Sequence, residues 1–255
     1  MCEKMAIENG TLGELREVGK GVEDFVSQEL EIDAKPYAFT CDLSHTALLI
    51  IDMQQDFLAP GGFGERLGND LSLVRECISP VRQLLDAFRT KGLFVLYTRE
   101  GHRPDLSDCP PSKLARSQRQ GAGIGDEGPM GRLLVRGEKG HAIIPELAPI
   151  PGEPIIDKPG KGAFFSTDLD LILRNKAIDS LIVTGVTTHV CVSTTVREAS
   201  DRGYECLVVA DGTAAFDPQD RDATLWQIQQ QGAIFGWVSD SHAILTAINE
   251  RTDSA

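Results

Sequence analysis

Three side chains of this 255-residue chain are of types that, brought together, could perform covalent amide chemistry: Asp52, Lys158 and Cys191. Asp52 closes the apolar run Thr46-Ala-Leu-Leu-Ile-Ile, Lys158 follows Ile155-Ile156-Asp157, and Cys191 opens a segment of helical spacing soon after the run 180–186. A thiol in the first turn of a helix meets unpaired N–H groups and the positive end of the dipole, both of which favour the thiolate. Asp52 could take the thiol proton, Lys158 could hold that carboxylate anionic, and backbone N–H groups of the turn before Cys191 could bind an oxyanion. The expected course is attack on a carbonyl, departure of an amine with the proton Asp52 took, and activation of water by Asp52. Each residue alone has a plainer role: a loop-bracing Asp, a solvated Lys, a buried structural Cys. Their common position, at the ends of three strands, favours the site.

That position depends on the elements. Short apolar runs at 46–52, 93–98, 154–157, 180–186, 205–210 and 233–238 read as strands. Helical patterns alternate with them. One carries Leu73, Val74, Cys77, Ile78, Val81, Leu84, Leu85 and Phe88, with Asn69 or Asp70 as its cap and Gly92 at its end. Others are expected over 168–176 behind Thr167, over 190–202, over 219–231, and after Asp240. Strand and helix in alternation predict a three-layer α/β/α, Rossmann-like fold with a six-stranded, mainly parallel sheet. Ligands of such sheets bind outside the carboxyl ends of the strands. Residues 1–37 read as an N-terminal arm and 38–255 as the domain. The stretch 100–150, rich in Gly, Pro, Arg and Asp, reads as a long functional loop.

Composition removes several classes. With 38 acidic against 25 basic residues the net charge is −13, which disfavours nucleic acid and anionic membrane surfaces as partners. No apolar run approaches the roughly 20 residues of a spanning helix. Glu3, Glu8, Glu14 and Glu17 interrupt the first twenty residues, so no secretory leader is expected and the cytoplasm is the expected location. Six cysteines at 2, 41, 77, 109, 191 and 206 form no CxxC pair, so neither a zinc cluster nor a thioredoxin-type site is expected. Cys2, Cys41, Cys77, Cys109 and Cys206 read as structural. His102 and His189 have no partners at ligand spacing and read as loop residues. A dinucleotide module would need GxGxxG after the first strand, where Asp52-Met-Gln-Gln-Asp-Phe57 stands instead. A non-catalytic binding protein on this sheet would be favoured had Asp52, Lys158 or Cys191 been replaced.

Three segments, Ile50-Ile-Asp-Met-Gln-Gln-Asp-Phe57, Lys158-Pro-Gly-Lys-Gly-Ala-Phe164 and Gly185-Val-Thr-Thr-His-Val-Cys-Val192, resemble in order the signatures of the isochorismatase-like cysteine hydrolases. The resemblance runs from about residue 38 to 245. It implies an Asp52–Lys158–Cys191 triad, a cis peptide between Val186 and Thr187, and an oxyanion hole from the N–H groups of Thr187 and Cys191. Isochorismatase itself lacks the nucleophilic cysteine, so Cys191 points to the amide-cleaving branch. Nicotinamidases of that branch bind a metal through an Asp and two His. Here Arg99-Glu-Gly-His-Arg-Pro-Asp105 offers one His, and the site is expected to need neither metal nor cofactor. The 100–150 segment, Lys158-Pro-Gly-Lys161 and Gln231-Gly232 look most like the biuret and triuret hydrolases, which implies that Phe57, Lys161 and Gln231 line a small linear ureide. His189 departs from the Asp of those enzymes. Ureidoacrylate amidohydrolase is the nearest alternative; its substrate's carboxylate would need a cation such as Arg103, Arg116 or Arg119. N-carbamoylsarcosine amidase and a metal-free nicotinamidase stand further off. Relatives of this kind are commonly tetramers, so a homotetramer is expected, with the small-molecule substrate as the other partner.

Overall fold

The computed structural model describes residues 29–250. Ten strands run in chain order: β1 (Glu29–Ile32), β2 (Phe39–Asp42), β3 (Thr46–Ile51), β4 (Phe94–Glu100), β5 (Glu127–Gly128), β6 (Gly131–Arg132), β7 (Ile155–Lys158), β8 (Ser180–Val186), β9 (Glu205–Ala214) and β10 (Trp237–Ser239). The helices are α1 (Gln55–Leu58), α2 (Phe63–Arg66), α3 (Leu71–Arg75), α4 (Ile78–Thr90), α5 (Pro111–Arg119), α6 (Leu169–Asn175), α7 (Ser193–Ser200), α8 (Pro218–Ile228), α9 (Gln230–Ala233) and α10 (Ser241–Glu250). Six strands form one sheet in the order β10-β9-β8-β3-β4-β7, and every pairing in it is parallel.

β3 shows why the sheet is covered on both faces. All six of its residues are buried. Leu48 and Ile50 join one core with Val81, Leu84, Leu85 and Phe88 of α4 and Ile244 of α10; Leu49 and Ile51 join the other with Leu169 and Leu173 of α6 and Val196 of α7. Alternation along a strand sends neighbours to opposite faces, so a continuous apolar run is what a doubly covered strand requires. Each fully buried Leu or Phe contributes about 1.5–3 kcal/mol. Among the described residues no helix is long and apolar enough to cross a membrane.

Three expectations are corrected. The arm predicted over 1–37 belongs to the packed domain from Glu29 onward: Leu30 and Ile32 alternate inward, β1 pairs antiparallel with β2, and Lys35 exchanges main-chain hydrogen bonds with Val238. Residues 1–28 lie outside the described residues. The segment 100–150 is no bare loop, since it carries α5 and the small β5–β6 hairpin. The last sheet strand, expected over 233–238, is only Trp237–Ser239, because Gln231, Gly232 and Ala233 all take positive φ and turn the chain before it can pair.

Candidate active site

Four strands that lie side by side end at one place. β3 ends at Ile51 and delivers Asp52; β4 ends in Glu100; β7 ends in Lys158; β8 runs through Val186 into a π-helical turn, Thr188–Val192, that carries Cys191 into α7. The Val186–Thr187 peptide is cis, as the resemblance implies. Gly185 makes the entry to the turn possible. Its φ is +107°, and a Cβ there would overlap the Ile51 carbonyl oxygen on the neighbouring strand.

Asp52 and Lys158 are fully buried and meet at 2.8 Å, Nζ to Oδ2. Thr98 donates to the other oxygen, Oδ1, at 2.7 Å. Among the described residues Oδ2 meets no partner besides this ammonium. Lys158 also donates to the Gly160 carbonyl at 3.0 Å. Burial works against its charge, but the Asp52 carboxylate above all, with that of Glu100, outweighs burial and raises its pKa, keeping it an ammonium. Burial pushes the Cys191 thiol well above its ordinary range, Lys158 opposes that rise, and the Asp52 and Glu100 carboxylates add to it. Cys191 therefore rests as a thiol. Its S–H donates to Glu100 Oε2 at 3.3 Å, while oxygens of Asp52 and Glu100 lie within 4.8 Å of the sulfur and of each other.

Glu100 was not among the residues the sequence singled out. Its other oxygen, Oε1, meets Lys113 Nζ at 2.6 Å and Lys161 Nζ at 3.1 Å. Burial would raise this carboxyl, but Lys158, Lys161 and Lys113 more than offset it and hold Glu100 ionised well below the usual carboxylate range. The rule that pointed to Asp52 and Lys158 would also have found it, had β4 been read to its true end rather than to Thr98.

A cleft of about 540 Å³ opens above the sulfur, within the range of small-ligand sites. Phe57, Lys161, Thr187 and Cys191 all line it, together with Phe63, Ile124, Leu134 and Phe216. So do Lys113, Arg116 and Arg119 of α5 and His189 of the π-helical turn. Gln231 is not brought to this cleft; it is exposed, at φ +53°, on the turn before β10. Arg103 is also elsewhere, an exposed side chain 4.0 Å from Asp105. His102 is buried, with Nδ1 3.1 Å from Asp108. Among the described residues one group could offer three metal donors, Asp52, Glu100 and Cys191, and there the Lys158 ammonium already stands 2.8 Å from Asp52 and 3.7 Å from Glu100.

A parallel α/β sheet that gathers a carboxylate, a lysine and a cysteine at one edge is an arrangement suited to a cysteine hydrolase. The chain belongs to the isochorismatase family: the isochorismatase domain matches residues 46–242. Its structure is similar to that of a cysteine hydrolase from Pseudomonas syringae pv. phaseolicola, at 28% identity and a TM-score of 0.69, covering 82% of this chain and 95% of that one. An isochorismatase family protein from Desulfovibrio vulgaris matches at 26% identity and a TM-score of 0.66, covering 80% and 98%. An N-carbamoylsarcosine amidase from Thermoplasma acidophilum matches at 26% identity and a TM-score of 0.58, covering 77% and 96%.

Proposed function

We propose that this protein is a cysteine-dependent amidohydrolase that cleaves the terminal C–N bond of a small linear ureide and releases ammonia. The observation that carries this reading is the buried contact of Lys158 with Asp52 beside the Cys191 thiol. Asp52 is the better base of the two carboxylates near the sulfur. It faces one ammonium, whereas Glu100 faces three. Asp52 takes the S–H proton as Cys191 attacks the carbonyl, and N–H groups of the Thr187–Cys191 turn receive the developing oxyanion. The tetrahedral adduct collapses, and ammonia leaves with the proton from Asp52. Water then gives a proton to Asp52 and attacks the acyl-enzyme; the thiolate departs and regains that proton.

Biuret and triuret suit the cleft's size and the position of Phe57 and Lys161 on its wall. A second reading has its own observation. Lys113, Arg116, Arg119 and Lys161 line the cleft against the single carboxylate Glu100, in a chain of net charge −13. Local positive charge in an acidic protein favours a ureide that also carries a carboxylate, such as ureidoacrylate or another N-carbamoyl acid. Ammonia release measured across biuret, triuret, ureidoacrylate and N-carbamoylsarcosine separates the two. The second reading requires the acids to be preferred in kcat/KM, with the preference shrinking as salt is added. In either case Cys191→Ser must lose turnover by orders of magnitude. A serine variant as active as the parent sinks the mechanism.

A further inference from the structure

Glu100 carries no proton in the reaction above, yet it touches both the Cys191 thiol and the cationic lining of the cleft. Its main chain is clamped on both sides by Gln54: its N–H donates to Gln54 Oε1 at 2.7 Å, and its carbonyl accepts from Gln54 Nε2 at 3.0 Å. The side chain is almost wholly buried, 3% exposed. Its two oxygens do different things. Oε2 accepts the Cys191 S–H, and Oε1 gathers the ammonium groups of Lys113 and Lys161, both of which line the cleft. Lys113 is anchored a second time, donating to the Pro159 carbonyl at 2.8 Å.

We propose that Glu100 is the positioning residue of the nucleophile: its carboxylate fixes the direction of the resting S–H with one oxygen and, with the other, pins Lys113 and Lys161 as a cationic wall of the cleft. The proposal rests on the amidase reading only in taking Cys191 as the nucleophile. Two opposed effects follow. The Glu100 charge, 3.3 Å from the sulfur, holds the group as a thiol. The lysines it retains favour negative charge on sulfur and on the substrate. The remaining charged groups facing the sulfur are Asp52 after β3 and Lys158 at the end of β7; His189 sits on the cysteine's own turn, 3.7 Å from Asp220 of α8, and Arg116 and Arg119 stand on α5 at the cleft. None of these is bonded to the S–H.

The opposed signs make the test. Glu100→Gln removes the negative neighbour and leaves the lysines; Lys113→Met removes a positive neighbour and leaves the carboxylate. The rate at which iodoacetamide labels Cys191 in the folded full-length chain is followed against pH, with site occupancy read by peptide mass spectrometry. Glu100→Gln is expected to move the labelling midpoint to lower pH by about one unit, a tenfold gain in thiolate at a fixed pH below the midpoint, partly offset by the lower nucleophilicity of a weaker base. Lys113→Met is expected to slow labelling at the same pH. In turnover, Glu100→Gln is expected to lose at least about tenfold in kcat, because sulfur and lysines are no longer aimed. A role confined to packing would leave both labelling profiles where they are. Unchanged midpoints, or shifts of the same sign in both variants, overturn the proposal. If Glu100→Gln does not fold, an unchanged Lys113→Met profile overturns it alone. Labelling needs no substrate, so this result stands or falls apart from the amidase reading, which fails instead if no amide is turned over.

Discussion

Replacing Lys158 by Met removes the only ammonium in contact with Asp52 among the described residues and leaves two carboxylates and a thiol around an apolar side chain. Asp52, Lys158 and Glu100 are all buried, at 0%, 0% and 3% side-chain exposure, so water cannot take over the lost role. At the 2.8 Å separation of Lys158 and Asp52 the gross attraction is about 6 kcal/mol for an effective dielectric constant of about 20. Desolvation of both ions cancels much of that in the intact pair. Removing one partner does not refund it, and breaking a buried pair costs about 3–5 kcal/mol. Lys158→Met should therefore lose about that much unfolding free energy at neutral pH, and roughly 6–20 °C in Tm for a chain of this size. Urea titration followed by circular dichroism measures the first, and calorimetry the second. Acid, by neutralising carboxylates, should narrow the gap between variant and parent. Turnover should fall by orders of magnitude at every pH. A Lys158→Met protein as stable as the parent to within about 1 kcal/mol at neutral pH, or one whose deficit does not shrink in acid, would refute the reasoning that this ammonium is the counter-ion of the site.

Further outcomes can be checked alongside it. Gly185→Ala should destabilise by more than about 3 kcal/mol and abolish activity, since a Cβ there meets the Ile51 carbonyl and the φ is one L residues rarely adopt; a soluble, fully active alanine variant would show that β3 and β8 do not pack as described. Burial raises the Asp56 carboxyl from 3.8 to about 6, against the hydrogen bond from the Leu134 N–H. The folded chain then binds this proton more tightly than the unfolded one, so the contribution of Asp56 to stability is greatest below the ordinary carboxylate range and is lost as pH rises through about 6, by about 3 kcal/mol at most. Asp56→Asn should flatten that decline in urea titrations at several pH values; parallel pH profiles for the two proteins would rule the effect out. Arg116→Ala with Arg119→Ala should raise KM for carboxylate-bearing ureides about tenfold while sparing biuret, and equal losses on both would count against the charged-substrate reading.

The sheet was legible because each of its central strands is an apolar run between polar or glycine-rich stretches, and strands covered on both faces need such runs. β3 and β8 are the clear cases. Asp52, Lys158 and Cys191 were legible for a second reason: parallel topology sends strand ends to one edge, so polar residues there are either caps or chemistry. β10 was overread, since the apolar stretch before it records content but not the sign of φ, and Ile234 within it is 47% exposed. α5 was missed because its residues are mostly polar; it is held by the buried Lys113 and Ser117 rather than by an apolar stripe. The partners of Glu100 were hidden for the same reason. Lys113 and Lys161 reach one oxygen from separate segments, and only the folded chain shows that they do.

α5 and the β5–β6 hairpin have a consequence for how this protein could change its trade. The candidate catalytic groups, at 52, 158 and 191, stand at strand ends or on the turn just beyond one, whereas Lys113, Arg116, Arg119, Ile124 and Leu134 all arrive on one excursion between β4 and β7. That excursion starts and ends on two strands that pair with each other. It is also tied back to the segment after Asp52, since Gln55 and Asp56 donate from their N–H groups to the Ala142 and Gly140 carbonyls and the Ile144 N–H donates to the Met53 carbonyl. A change in that stretch therefore alters the lining of the cleft and, through Lys113 and Glu100, is felt at Cys191 as well.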